Sequence, residues 1–256
     1  MSDRVELLIE PRVRPVGAGE VRRLLPFRRR RMVGPFVFAD VMGPDEFTPR
    51  PGSGVDAHPH IGLSTVTYLL TGRSVHRDST GAVQTIEPGA VNWMTAGAGV
   101  THTERPHPDD IGTLSATFGL QTWVALPDGA ENVDAAFEHC AASDVPTDDG
   151  AGARVRLAVG TGFGLTAPIS GSSPLVLAEI ELDDGSIRIP PEHVERAVIC
   201  MAGHVRVDGT SLAPAHLAVL APGAQPELTG SGTVMLLGGD PVGPRTIWWN
   251  FVHSDP

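Results

Sequence analysis

Two short stretches carry side chains able to act together, Asp56-Ala-His-Pro-His60 and Thr101-His-Thr-Glu104. In an extended strand every second side chain points to the same face, so His58 and His60 project together, and so do His102 and Glu104. Three imidazoles and a carboxylate suit a mid- to late-first-row divalent metal (Fe, Mn, Co, Ni or Cu) better than a thiolate or all-oxygen set would. One His-x-His alone fits a polar strand edge more readily than a metal pair, and the second pair is what shifts the balance. Pro59 has no amide to give to a ladder, so the first pair is expected at a strand start or edge. Four protein ligands leave one or two octahedral positions open, room for a bidentate ligand or for a ligand beside dioxygen.

The elements between the pairs decide whether they can meet. Ser64 to Leu70 is a β-branched and aromatic run stopped at Thr71-Gly-Arg73, and Val75–Arg77 runs into a turn at Asp78-Ser-Thr-Gly81. Val83–Ile86 ends at Glu87-Pro-Gly89, and Val91–Met94 leads through the bend Thr95–Gly99 to the second pair. Short strands joined by tight turns predict one antiparallel sheet with both pairs on its inner face. Upstream, Val5–Glu10 reads as a strand and Val33–Ala39 as a buried strand broken early at Gly34-Pro35. Gly43–Gly54 is too rich in Pro and Gly for an element interior and is expected as a loop over the mouth of the site. Downstream, Leu114–Ala125 reads as the closing strand of the first part. Val133, Ala136, Phe137 and Cys140 share one helical face, predicting a short surface helix over Glu131–Cys140.

Thr147-Asp-Asp-Gly-Ala-Gly152 is polar and flexible, the best linker candidate, and divides the chain into 1–146 and 147–256. The second part looks like a degraded copy of the first, with strands at Leu175–Leu182, Ile187–Ile189, Arg196–Gly203, His204–Gly209 and Leu217–Leu220. Setting Gly72 against Gly203 puts His58 and His60 opposite Ile189 and Pro191. The counterpart of His102–Glu104 falls in the apolar stretch Thr233–Leu237. His193 and Glu195 form an i, i+2 pair with no partner pair, so a single metal is expected, in the first part. His76 is read as a turn residue in preference to a hydrogen-bonding neighbour of the site, and Trp248 and Trp249 as packing residues that pin the tail.

The chain resembles the pirins of the cupin superfamily. The resemblance rests on His58-Pro-His60, Thr65-Val-Thr-Tyr68, His76-Arg-Asp-Ser79, Pro88-Gly89, Trp93-Met-Thr-Ala-Gly97 and His102-Thr-Glu104. It continues through Gly119–Pro127, Leu236–Pro241 and Ile247–Val252, nearly the whole chain. It implies an all-β fold of two cupin-type antiparallel barrels, with 1–146 carrying the metal and 147–256 a degenerate barrel. It further implies metal ligation by His58, His60, His102 and Glu104, with iron(II) the first choice and Mn, Co, Ni or Cu the alternatives. The implied activity is that of a quercetin 2,3-dioxygenase, which opens a flavonol with O2 and releases carbon monoxide, Glu104 taking the substrate hydroxyl proton. The rival implication is a metal- or redox-dependent regulator that binds another protein as a transcriptional cofactor. Some familiar pirins carry Arg and Glu where this chain has Ile61 and Ser64, so the charge at the pocket mouth is expected to differ.

Bulk properties narrow the alternatives. The 256 residues include 30 Gly and 23 Pro, as in a loop-rich β protein. A formal charge of -11 argues against direct binding to nucleic acid or to an anionic membrane, since the field repels phosphate. The run Arg28–Arg31 is read as a solvated segment pairing with acidic groups. Cys140 and Cys200 form no C-x-x-C pair, which leaves free thiols and a cytoplasmic setting. No apolar run is long enough for a spanning helix.

Overall fold

The computed structural model of the chain describes residues 2–17, 19–150 and 152–255. Strands dominate them, and no helix among the described residues is long and apolar enough to cross a membrane. The chain forms two compact units, and neither is a continuous piece of sequence. One comprises 12–23, 37–143 and 242–256, the other 1–11, 24–36 and 144–241. The linear division at 146/147 therefore exchanges both ends. Val5–Ile9 finds its ladder partner in Leu217–Leu220, and the tail from Val242 belongs with the histidine-bearing unit.

In the histidine-bearing unit the strands fall into two principal sheets, not the one sheet expected. The larger runs in the order Ala136–Cys140, Val91–Thr95, Leu63–Thr71, Ser115–Ala125, Phe36–Phe47, Gly19–Leu25 and Arg12–Val16. The smaller has the order Val55–His60, Val100–Pro106, Ser74–Asp78 and Val83–Ile86. Thr67 of the first sheet reaches Glu104 of the second, and His76 of the second stacks on Phe137 of the first at 4.6 Å. The polar interior thus lies between the sheets.

Two local expectations fail here. Residues 131–140 do not form a helix: Ala136–Cys140 pairs with Val91–Thr95 as a strand. A stretch this short has little helical stability of its own, and an open sheet edge satisfies its backbone better. The Gly43–Gly54 loop begins only after Phe47, because the strand Phe36–Phe47 runs through Gly43-Pro44. Gly43 has φ +65°, and a Cβ there would collide with the Thr117 carbonyl, so glycine is what lets the strand pass.

The other unit is one large sheet in the order Val5–Ile9, Leu217–Leu220, Glu195–Val207, Glu227–Gly239, Leu175–Arg188, Ala153–Gly162 and Thr147–Gly150. The linker candidate is therefore an edge strand, Thr147–Gly150, paired with Ala153–Arg156. Its exposed Asp148 and Asp149 are the charges that keep a sheet edge from pairing with another chain. Segments separated in the sequence reading fuse into strands of 13 and 14 residues, Glu195–Val207 and Leu175–Arg188, which bend at bulges by Cys200/Ala202 and Leu182/Gly185. The interior is hydrocarbon, with Val5, Ile189, Val198, Cys200, Val234 and Leu236 in one buried cluster.

Candidate metal centre

Three adjacent strands of the smaller sheet each send an i, i+2 pair toward the interior. The middle strand carries His102 and Glu104; His102 lies opposite His58 on one side and Asp78 on the other, and Glu104 opposite His76. Val55–His60 is the sheet edge, which accommodates Pro59 as expected. A bulge between His102 and Glu104 on that side adjusts the spacing of the two pairs, a common device beside functional sites.

The nitrogens of His58, His60 and His102 that could bind a metal lie within 4.8 Å of one another. Their ring centroids are 4.3 to 5.1 Å apart. His58 Nδ1 is 2.8 Å from the Asp56 carbonyl and His60 Nδ1 is 3.2 Å from that of Asn250. A carbonyl only accepts, so each Nδ1 carries the proton and each Nε2 keeps its lone pair. His102 Nε2 is buried without any hydrogen-bond partner. Buried polar atoms are rarely left so, and three converging imidazoles with one orphaned nitrogen fit a divalent metal by both chemistry and shape. Glu104 stands outside this three-histidine cluster. Its Oε1 accepts from Thr67 Oγ1 at 3.4 Å.

Burial sets the electrostatics. Desolvation, reinforced by neighbouring imidazoles, pushes His60 down to about 4 and His102 down to about 2. Both are therefore neutral, the form that ligates. Desolvation raises Glu104 above the ordinary carboxylate range, against the hydrogen bond from Thr67. Burial would raise Asp78 too, but hydrogen bonds from Thr80, His76 and Ala82 outweigh it and hold that acid low.

His76 corrects the sequence reading. It is no turn residue: it is 3% exposed, with Nδ1 3.3 Å from His102 Nδ1 and Nε2 3.0 Å from Asp78 Oδ2. The signal was present in His76-Arg-Asp78, an i, i+2 polar pair like the other two. Trp248 and Trp249 do not pin the tail: they are 70% and 62% exposed, and their rings meet Phe251 of the same hairpin at 5.7 and 5.5 Å. They cap the hairpin of Thr246–Trp248 and Phe251–His253, whose turn supplies the Asn250 carbonyl to His60. The tail is held instead by buried Glu131, which accepts from Ser254 N and Oγ at 2.6 and 2.8 Å and pairs with Arg245. Trp123 packs edge-on against His60 at 5.1 Å and stacks on Phe38 at 4.1 Å. Ser64, expected at the mouth, is fully buried and bonded to Thr95 Oγ1.

A family model described as Pirin matches residues 18–124, and one described as Pirin C-terminal cupin domain matches 177–256. The chain is 45% identical over 258 residues to a pirin-like protein of Caulobacter vibrioides, covering 98% of this chain and 88% of that one. It is also similar to two crystal structures of quercetin 2,3-dioxygenase from Acinetobacter baumannii. One gives a TM-score of 0.88 at 36% identity, covering 96% of this chain and 83% of that one. The other gives 0.90 at 28% identity, covering 97% and 91%.

Proposed function

Because this chain belongs to the pirin family and folds as an all-β bicupin, we propose that it is a flavonol dioxygenase whose metal is held by His58, His60, His102 and Glu104. The observation that carries the reading is the orphaned, buried His102 Nε2 among two other imidazoles whose Nδ1 protons are already given to carbonyls. A divalent ion bound there, iron(II) by first choice, would polarise the hydroxyl and keto oxygens of a flavonol and supply a position for dioxygen. Glu104 is suited to take the hydroxyl proton, since burial raises its proton affinity toward the working range of a general base. Trp123 and Phe38 offer a stacked aromatic wall beside His60. The similar quercetin 2,3-dioxygenases support this substrate class.

A second reading, a protein-binding regulator governed by metal state, is favoured by the exposed Trp248 and Trp249 on the hairpin that touches His60. Aerobic loss of quercetin absorbance by metal-loaded protein separates the two. Wild type should consume quercetin, and Glu104→Gln should partly retain metal while turnover falls by roughly 10²–10⁴, the usual cost of losing a general base. Loaded wild type that leaves quercetin untouched in air would favour the regulator.

A further inference from the structure

We propose that His76 and Asp78 form a hydrogen-bonded relay that fixes the proton of His102 on Nδ1, so that Nε2 faces the site as a bare lone pair. The inference rests on the reading of His102 as a metal ligand. His58 and His60 are oriented by backbone carbonyls, which cannot change direction. His102 differs because its Nδ1 meets another imidazole nitrogen, His76 Nδ1, at 3.3 Å. One of the two must donate and the other accept, and nothing in that pair alone decides which.

The decision comes from Asp78. Its Oδ1 accepts from Thr80 N at 2.9 Å, Thr80 Oγ1 at 2.6 Å and Ala82 N at 3.2 Å, which leaves Oδ2 for His76 Nε2 at 3.0 Å. A carboxylate accepts only, so neutral His76 must place its proton on Nε2. His76 Nδ1 then accepts, His102 Nδ1 donates, and His102 Nε2 is left open. His76 is itself held flat against Phe137, with an interplanar angle of 29°. Outer hydrogen bonds of this kind set the tautomer of a ligating histidine and typically change metal affinity 10–100-fold when lost. His76 and Asp78 are thus positioning residues that act through His102.

The geometry makes an isosteric variant more damaging than a larger one. In Asp78→Asn, the two backbone amides of Thr80 and Ala82 require the amide oxygen at the Oδ1 place, so the NH2 group faces His76 Nε2 and donates to it. The relay reverses: His76 Nδ1 donates, His102 Nδ1 accepts, and His102 Nε2 gains a proton that blocks the metal. In His76→Phe, His102 loses its partner and is free to take either form.

The tautomers can be read in the full-length, metal-free protein by long-range 1H–15N NMR of the histidine rings, and the affinities by cobalt(II) titration against a chelator. Expected are the Nδ1–H form of His102 in wild type, the Nε2–H form in Asp78→Asn with cobalt affinity down about 100-fold, and a mixed population in His76→Phe with a loss of about tenfold. An Nε2–H His102 in wild type overturns the relay even if no variant folds. So does a folded Asp78→Asn that keeps wild-type affinity, or a His76→Phe that loses more than Asp78→Asn, as plain packing would require. Wild type that binds no cobalt would refute the metal reading, while the metal-free tautomer would still judge the relay.

Discussion

The two units of this chain place the same residue types in opposite circumstances. In the histidine-bearing unit His58, His60, His76 and His102 converge between two sheets, and His102 keeps a nitrogen with no partner. In the other unit His193 is also buried, but its Nε2 is bonded to the Thr161 carbonyl at 2.8 Å. Glu195 there accepts from Gly34 N at 2.7 Å and pairs with Arg30 at 3.2 Å. Ile189, opposite His58 in the aligned copies, is fully buried, and Val234 and Leu236 fill the stretch that corresponds to His102–Glu104. Burial pushes the Cys200 thiol up to about 11, which leaves it an inert core group. The difference teaches that a buried imidazole marks a site only when one of its nitrogens is left unanswered.

The comparison breaks most sharply at His102. Replacing it with Ala should remove metal entirely, and elemental analysis of wild type should give one equivalent per chain. Two equivalents, or one that survives both His58→Ala and His102→Ala, would show the assignment of a single metal to these residues to be wrong.

Next in size, Leu236→Ala in the hydrocarbon interior should cost about 2–5 kcal/mol, as large-to-small changes in packed cores do. Metal content should not change. Denaturant unfolding beside elemental analysis separates the two effects, and loss of metal from this variant would show that the interiors are not independent.

The metal-free protein should also destabilise on mild acidification. The unfolded chain protonates its histidines near pH 6.5, whereas folded His60 holds out to about 4 and His102 to about 2. Protons therefore favour the unfolded state from about pH 6.5 downward, through about 4 for His60 and further for His102. Each net proton is worth about 1.4 kcal/mol per pH unit. Glu104 opposes this, because its raised affinity lets the folded state take a proton first. Urea midpoints that stay flat or rise between pH 7 and 4 would contradict the assignment. Added metal should steepen the profile, because it binds only the unprotonated ligands and its stabilisation is lost as they take up protons.

The smallest effect is expected at the tail. Trp248→Ala should change stability by no more than about 0.5 kcal/mol, as exposed positions generally do, because Glu131 and Arg245 hold the segment. A clearly larger loss in the melting curve would restore the packing role that the sequence suggested.

By itself the sequence determined the repeat and which polar side chains share a face. Alternation within a strand is local, so His58 with His60 and His102 with Glu104 each share a face wherever the strands go, and His58, His60 and His102 do converge. Hydrophobic runs and Pro-Gly turns marked most strands, and the apolar residues opposite the His and Glu pairs set the second copy apart from the first. Tertiary structure alone decided the rest, because it depends on partners distant in the chain. Ala136–Cys140 is a strand since Val91–Thr95 offers it a ladder, against its own helical spacing. Val5–Ile9 and the tail exchange units because their pairing and buried ion partners lie there. His76 joins the site only because Ser74–Asp78 lies beside Val100–Pro106, where the ring meets His102 on one edge and Asp78 on the other.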